Sequence, residues 1–370
     1  MDAAELLRHM VEVGASDLHC KVGSPPFLRV DGGLLTSEYP ALTSQDTETL
    51  SSELMPMGKS VTFSETSEAD FGYTLPGVGR FRVNVFRQRG LVGMAVRRVR
   101  SDVPTIEELR LPPVVRSLAD LPRGLVLVTG PAGTGKTTSI ASMIGHINHT
   151  KRSHIISIED PIEVVHEDVL SIIDQREVGI DTMSFASALR HVVRQDPDVI
   201  FLGEIRDPES AEAAIQAAET GHLVISTLHT IDATETVNRI IDLFPPTHQR
   251  QVRVSFAAAM KGVVSQRLIP RADGRGRVPA IEVLINTGRV MERIMDPAHT
   301  FEIYDVMAEG EFYGMQTFDQ SLVALVMEGL ITEEEAKLAS TTPHDFTLAM
   351  KAARMKAAAS VGADFTAAAG

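Results

Sequence analysis

The sequence predicts an α/β protein: an α+β N-terminal part, a core built on a largely parallel sheet, and a helical C-terminal part. Three observations carry this prediction. The run GPAGTGKTT at 130–138 stands between the apolar stretch LVLVTG and a helical pattern opening near Lys136, the strand–turn–helix context of a phosphate-binding loop. Beyond residue 120 the apolar runs LVLVT, HIISIE, DVIFLGE and HLVISTLH alternate with helical patterns, as a parallel sheet covered by helices does. Before about residue 100 the pattern is one of short strands and hairpin turns.

The opening MDAAELLRHMVEVGA reads as an amphipathic helix, and its Asp2, Glu5 and Glu12 are foreign to a secretory leader. FLRVDGGL reads as a hairpin around Asp31, Gly32 and Gly33. GRFRVNVFRQRGLVGMAVRRVR reads as two strands joined near Gln88, Arg89 and Gly90, with Phe81, Val83 and Val85 on one face and Arg82 and Asn84 on the other. From Arg80 to Arg100 there are seven arginines and no acidic residue. That patch is either a solvated face or a set of planar donor forks aimed at phosphates. The proline-punctuated stretch at 101–124 holds a linker. Asp207 and Pro208 form an N-cap and first helical residue for PESAEAAIQAAE. After about 290 the pattern is mostly helical, and the alanine-rich end beyond 350 is expected to be frayed or a short helix. The expected boundaries are 1–100, a linker at 101–120, a core at 121–290, a helical region at 291–350 and a tail at 351–370.

With 370 residues, 44% of them hydrophobic, the chain can bury a substantial core and divide into two domains. A formal net charge of −14 weighs against general nucleic-acid binding. The single cysteine, Cys20, excludes an internal disulfide or a four-cysteine zinc site within one chain. No apolar run approaches the ~18 residues of a membrane span. A cytoplasmic protein with at most peripheral membrane contact is the expectation.

The loop residues Gly130, Pro131, Ala132, Gly133, Thr134, Gly135, Lys136, Thr137 and Thr138 would wrap backbone N–H groups around a β-phosphate. Lys136 would reach the β- and γ-phosphates, and the Thr137 hydroxyl would ligate Mg²⁺. Glu204 follows the strand DVIFLGE at its carboxyl end, where parallel sheets place ligands. Gly203 stands where an acidic metal-organising residue is usual, so Glu204 is expected to act on Mg²⁺ through water. A second acidic source is IISIEDPIEVVHED, in which Glu159, Asp160 and Glu163 fall within five positions and Glu163 is a general-base candidate. His222 and His229 bracket an apolar strand, a spacing that sets them on opposite sides or ends of it and suits one metal poorly, but that lets an imidazole hydrogen-bond a γ-phosphate or relay its presence to a neighbouring subunit.

These boxes, with GASDLHCKVGSPPFLRVDG at the start and GMQTFDQ late in the chain, resemble the secretion-type ATPase superfamily, and within it the twitching-motility retraction ATPases of type IV pili, the PilT/PilU group. The resemblance runs nearly end to end. It implies a PAS-like N-terminal domain, a RecA-like P-loop ATPase domain, a homohexameric ring, ATP and Mg²⁺ as ligands, and an inner-membrane pilus platform protein as partner, with a paralogous pilus ATPase as a possible second. Carried onto this sequence, it makes Glu163 the catalytic base and Glu204 the organiser of water and Mg²⁺. His222 and His229 become the histidine-box residues, and Arg82 and Arg97 the N-terminal arginines that neutralise charge. Arg277 becomes a phosphate sensor and Arg206 a support for the Glu204 loop.

Two stretches depart from the retraction pattern. GRVMERIMDPAHT stands where the group often carries Ala-Ile-Arg-Asn-Leu-Ile-Arg-Glu, and Arg194, Gln195, Asp196, Pro197 and Asp198 stand where it often ends Arg-Glu-Asp-Pro-Asp. The first of these is nearer the PilU type. The alternatives are a superfamily ATPase driving nucleic-acid or protein transfer, and a regulatory ATP sensor without turnover. A small-molecule kinase ranks behind both, because no acceptor pocket or lid can be read from the chain.

Overall fold

Leu6, Leu7 and Met10 recur at helical spacing, and in the structure they are the buried face of α1 (Ala3–Glu12), capped by Asp2. The structure is a computed structural model; it describes the backbone at 2–30, 32–99 and 102–367 and side chains through Lys356. Asp31 of the expected hairpin turn and Arg100 of the arginine patch lie outside the described residues.

Six strands follow in the first part: β1 (Asp17–Lys21), β2 (Phe27–Val30), β3 (Gly33–Thr36), β4 (Glu68–Leu75), β5 (Gly79–Gln88) and β6 (Leu91–Arg98). Helices α2 (Ser44–Leu54) and α3 (Met57–Thr66) lie between β3 and β4. The strands form one antiparallel sheet in the order β3-β2-β1-β6-β5-β4. The alternation along β5 is as the sequence predicts: Phe81, Val83 and Val85 are fully buried, while Arg82 and Asn84 point the other way. Each such side chain contributes roughly 1.5–3 kcal/mol on burial, which pins the register, since a slip by one residue would turn the arginines inward.

The second part runs α4 (Pro113–Ala119), β7 (Gly124–Thr129), α5 (Lys136–Thr150), β8 (His154–Glu159), β9 (Ile172–Glu177), α6 (Phe185–Val192), β10 (Val199–Leu202), α7 (Pro208–Glu219), β11 (Leu223–Leu228), α8 (Ala233–Asp242), α9 (Pro246–Ala259), β12 (Met260–Pro270) and β13 (Arg277–Ile285). Its seven-stranded sheet has the order β13-β12-β7-β11-β10-β8-β9. Pairings β12–β7, β7–β11 and β11–β10 are parallel, and β13 is antiparallel to β12. Every residue of β7, β10 and β11 is buried, which explains why these strands read as unbroken apolar runs. Asp207 caps α7 with Pro208 at its first position, as expected.

The C-terminal region is helical: α10 (Gly288–Met295), α11 (Ile303–Ala308), α12 (Phe318–Met327), α13 (Glu333–Ala339) and α14 (Pro343–Ala367). Phe318, Leu322, Phe346 and Met350 gather in one core with Ile269 and Val278. The expectation of a frayed or short helix after 350 needs correcting, because α14 runs unbroken for 25 residues. Phe346 and Met350 anchor its first turns, and alanine, the best helix former, propagates it.

Two compact units result. Ile158–Glu167 and Gln175–Ser184 group with the residues up to Asp102, and the rest of the chain forms the second unit. One chemical tie within the first unit is Glu177, which is buried. One of its carboxylate oxygens accepts from the Gly72 amide of β4 at 2.9 Å; the other pairs with Arg80 of β5 and accepts from the Ile162 amide at 3.3 Å.

Candidate functional site

The phosphate loop begins where β7 ends. Gly130 has φ +143°, and a Cβ there would lie 2.5 Å from the Gln266 carbonyl and 2.7 Å from Thr134 Oγ1. Gly135 stands at the N-cap of α5 with φ +89°, where a Cβ would meet Gln266 Nε2 at 2.9 Å. Both positions have a backbone conformation that favours glycine, and at Gly130 the Gln266 carbonyl excludes a side chain by space as well. No side chain caps α5, so the helix dipole favours an anion at this end. The buried Lys136 lies against the loop, donating from Nζ to the Gly130 carbonyl at 2.7 Å and the Pro131 carbonyl at 3.0 Å. Thr137 follows it in the first turn. A cradle whose backbone favours glycine at two positions, an uncapped helix start, an ammonium and a hydroxyl together fit a nucleotide polyphosphate with its Mg²⁺.

Glu204 lies two residues beyond β10, its side chain only 16% exposed. It pairs with Arg206, and His229 Nε2 stands 3.5 Å from its Oε2. The peptide leading to it is clamped from β11, where Ser226 and Thr227 hydroxyls donate to the carbonyls of Leu202 and Gly203, both at 2.7 Å. Leu228 at the end of β11 is in register with Thr129 at the end of β7. The phosphate loop, Glu204 and His229 thus share the carboxyl edge of adjacent parallel strands.

His222 does not join them. It precedes β11 at the opposite edge, about 20 Å away along a six-residue strand. There its Nδ1 lies 2.9 Å from the Ala217 carbonyl at the end of α7, and its own carbonyl accepts from Gly124. Within one chain the two histidines therefore stand at opposite ends of β11, in line with their spacing: His222 closes a helix end, and His229 faces Glu204. Arg277 opens β13, exposed and opposite Pro270.

The first unit carries the acidic box and the arginines. Glu159 ends β8 buried and accepts from Gln175 Nε2 at 3.1 Å, whereas Asp160 is exposed. Glu163 is 49% exposed, and Arg82 Nη1 is 4.0 Å from its carboxylate. Burial holds the nearby His166 imidazole down to about 4, so it stays neutral near pH 7. Arg82 and Arg97 are direct cross-strand partners. They are committed differently, because Arg97 Nε donates to Asp17 at 2.8 Å. Burial alone would raise the Asp17 carboxyl, but hydrogen bonds from Ser16 and Arg97 carry it below its ordinary value. The structure therefore brings Arg82 to Glu163 and holds Arg97 on Asp17.

One residue at the site escaped the sequence reading. Gln266 of β12 is buried, donates from Nε2 to the Thr134 carbonyl at 2.7 Å and accepts from Ser139 Oγ at 2.8 Å. The available signal was a glutamine inside the apolar run VVSQRLIP, since buried amides demand partners.

The family of type II/IV secretion system proteins matches residues 106–357, spanning the phosphate loop, the acidic box, Glu204 and both histidines. The chain belongs to this family. Within the secretion ATPases it is 43% identical over 346 residues to the type IV pilus retraction ATPase PilT of Pseudomonas aeruginosa, covering 94% of this chain and 100% of that protein. It is 42% identical over 351 residues to the type IV pilus ATPase PilU of the same organism, covering 95% and 92%. The crystal structure of the pilus retraction motor PilT with bound ADP superposes with a TM-score of 0.85 at 45% identity, covering 93% of this chain and 98% of that one. The secretion ATPase fold, a RecA-like core with an N-terminal α+β domain and a helical C-terminal region, is accordingly the fold of this chain. Among the described residues no helix is long and apolar enough to cross a membrane.

Proposed function

We propose that this chain is an ATP-hydrolysing motor that powers type IV pilus retraction and twitching motility. The observation that carries the reading is similarity to pilus retraction ATPases over 94% of the chain, with the phosphate loop, Glu204 and His229 at one sheet edge. In this reading Lys136 leaves the loop carbonyls for the β- and γ-phosphates, and the α5 amides hold the β-phosphate. Thr137 and, through water, Glu204 would hold Mg²⁺, which would supply neutralisation of phosphate charge. Glu163 takes the proton of the attacking water, and Arg82, its ionic neighbour, steadies it and adds positive charge. His229 reports the state of Glu204. The motor works as a homohexamer on the cytoplasmic face of the membrane, acting on a pilus platform protein. The domain boundaries at 1–100 and 121–290 belong to the same reading.

Deletion of the gene followed by complementation tests this. Wild type is expected to restore fibre retraction and Lys136→Ala to leave it absent. Normal retraction after deletion, or full rescue by Lys136→Ala, would overturn the reading.

A further inference from the structure

Four points of the phosphate loop and its helix meet a single residue from another strand, three of them its side chain. Gln266 Nε2 holds the Thr134 carbonyl, its Oε1 takes the Ser139 hydroxyl, its backbone carbonyl crowds Gly130, and its amide nitrogen crowds Gly135. A planar amide with one donor end and one acceptor end can bridge a carbonyl and a hydroxyl this way; no apolar residue of the same volume can. The residue is 3% exposed, so both of its polar ends depend on these partners.

The strand that carries Gln266 is itself fixed against the loop. Ser265 is in parallel register with Thr129, the last residue before the loop, and its Oγ accepts from Thr129 Oγ1 at 3.0 Å. Thr236 of α8 extends the chain of hydroxyls, 3.5 Å from Thr129 Oγ1 and 2.7 Å from Thr230, which follows His229 in sequence. The loop is thus braced from its β12 side at a defined height, before any phosphate arrives.

We propose that Gln266 is a positioning residue for nucleotide: it preorganises the phosphate loop by clamping Thr134 and Ser139, and it acts on nucleotide affinity rather than on the chemical step. Phosphate binding by backbone amides depends on a loop already held in the receiving shape, because a slack loop must be ordered at the expense of affinity. The proposal rests on the assignment of 130–138 as the nucleotide site.

The test measures binding of a fluorescent ADP analogue and steady-state ATP hydrolysis on full-length protein. Gln266→Met keeps the volume and removes both polar ends. It is expected to raise the Kd for the analogue and the KM for ATP about tenfold each, with kcat within about twofold. Ser139→Ala is expected to move both constants in the same direction by about threefold. The double variant should be no worse than Gln266→Met, because the two side chains form one clamp. An unchanged Kd in Gln266→Met, a loss confined to kcat, or fully additive losses would each overturn the proposal. If Gln266→Met fails to fold, Ser139→Ala decides alone, and an unchanged Kd there overturns it. Wild-type protein that binds neither ATP nor ADP would sink the nucleotide-site assignment, and the proposal with it. Wild-type binding with an indifferent Gln266→Met would sink only the proposal.

Discussion

Glu163 and Glu159 are four positions apart in sequence, yet they differ sharply in their access to water. Glu159 is buried and holds the Gln175 amide, whereas Glu163 is half exposed with Arg82 beside it. Glu163→Gln is therefore expected to leave ATP affinity near wild type and to lower turnover at least ~100-fold, read by nucleotide binding and phosphate release. Wild-type turnover would remove Glu163 as the base. Cys20 offers an independent check on the first unit. Burial pushes its thiol up to about 12, so a thiol reagent at pH 8 should modify the native protein negligibly and the unfolded chain completely. At this scale the placement of Lys136 and Thr137 at the start of α5 and of Glu204 past the end of β10 was legible, because it follows from local spacing. Gln266 was not: its contact with Thr134 spans 132 positions, and nothing near it in sequence announces that partner.

Elements were legible where one face or both faces are apolar. The alternation along β5 and the unbroken runs of β7 and β11 each state their burial. The continuity of α14 is not legible in sequence, because its anchor, Phe346 and Met350 in the C-terminal core, is tertiary. The junction of β13 with α8 holds a titrating group. Glu282 of β13 is buried and accepts from the Ala233 amide at the start of α8 at 2.8 Å. Burial raises its carboxyl from 4.5 to about 7, with the Ala233 amide and Arg267 opposing and Asp232 adding to the shift. The native state therefore keeps a proton that the unfolded chain releases first. Stability should fall as pH rises from about 4.5 to about 7 and stay at the lower level above that. Glu282→Gln retains the acceptor without the charge. It should flatten this dependence and stabilise the protein at pH 8 by on the order of 1–3 kcal/mol, seen as a higher Tm at pH 8 than wild type and little difference at pH 4.5. Equal pH dependence in both proteins would refute this account of Glu282.

For the whole molecule, the division into two units follows contacts rather than chain order. Glu177 holds Gly72, Arg80 and Ile162 at once, so the acidic box keeps company with the N-terminal sheet. That grouping could not be read from sequence, because the contacts that make it, those of Glu177 among them, reach strands about a hundred positions away. A fragment beginning at Val103 should then present 158–184 in a loosened state. Limited trypsin digestion should cut it at Arg176 far faster than it cuts the full-length chain, and equal cleavage rates would refute this.

The bonds made by Glu177 also bear on descent. A gene that exchanged its first hundred codons for those of a distant relative would bring in a foreign sheet. The incoming strands would have to offer an arginine and a free amide at the positions of Arg80 and Gly72, or Glu177 would be left buried with the Ile162 amide but without its charge partner. Recombination at the linker is open only to lineages that already agree on this handshake, and the two halves of the gene are expected to be inherited together.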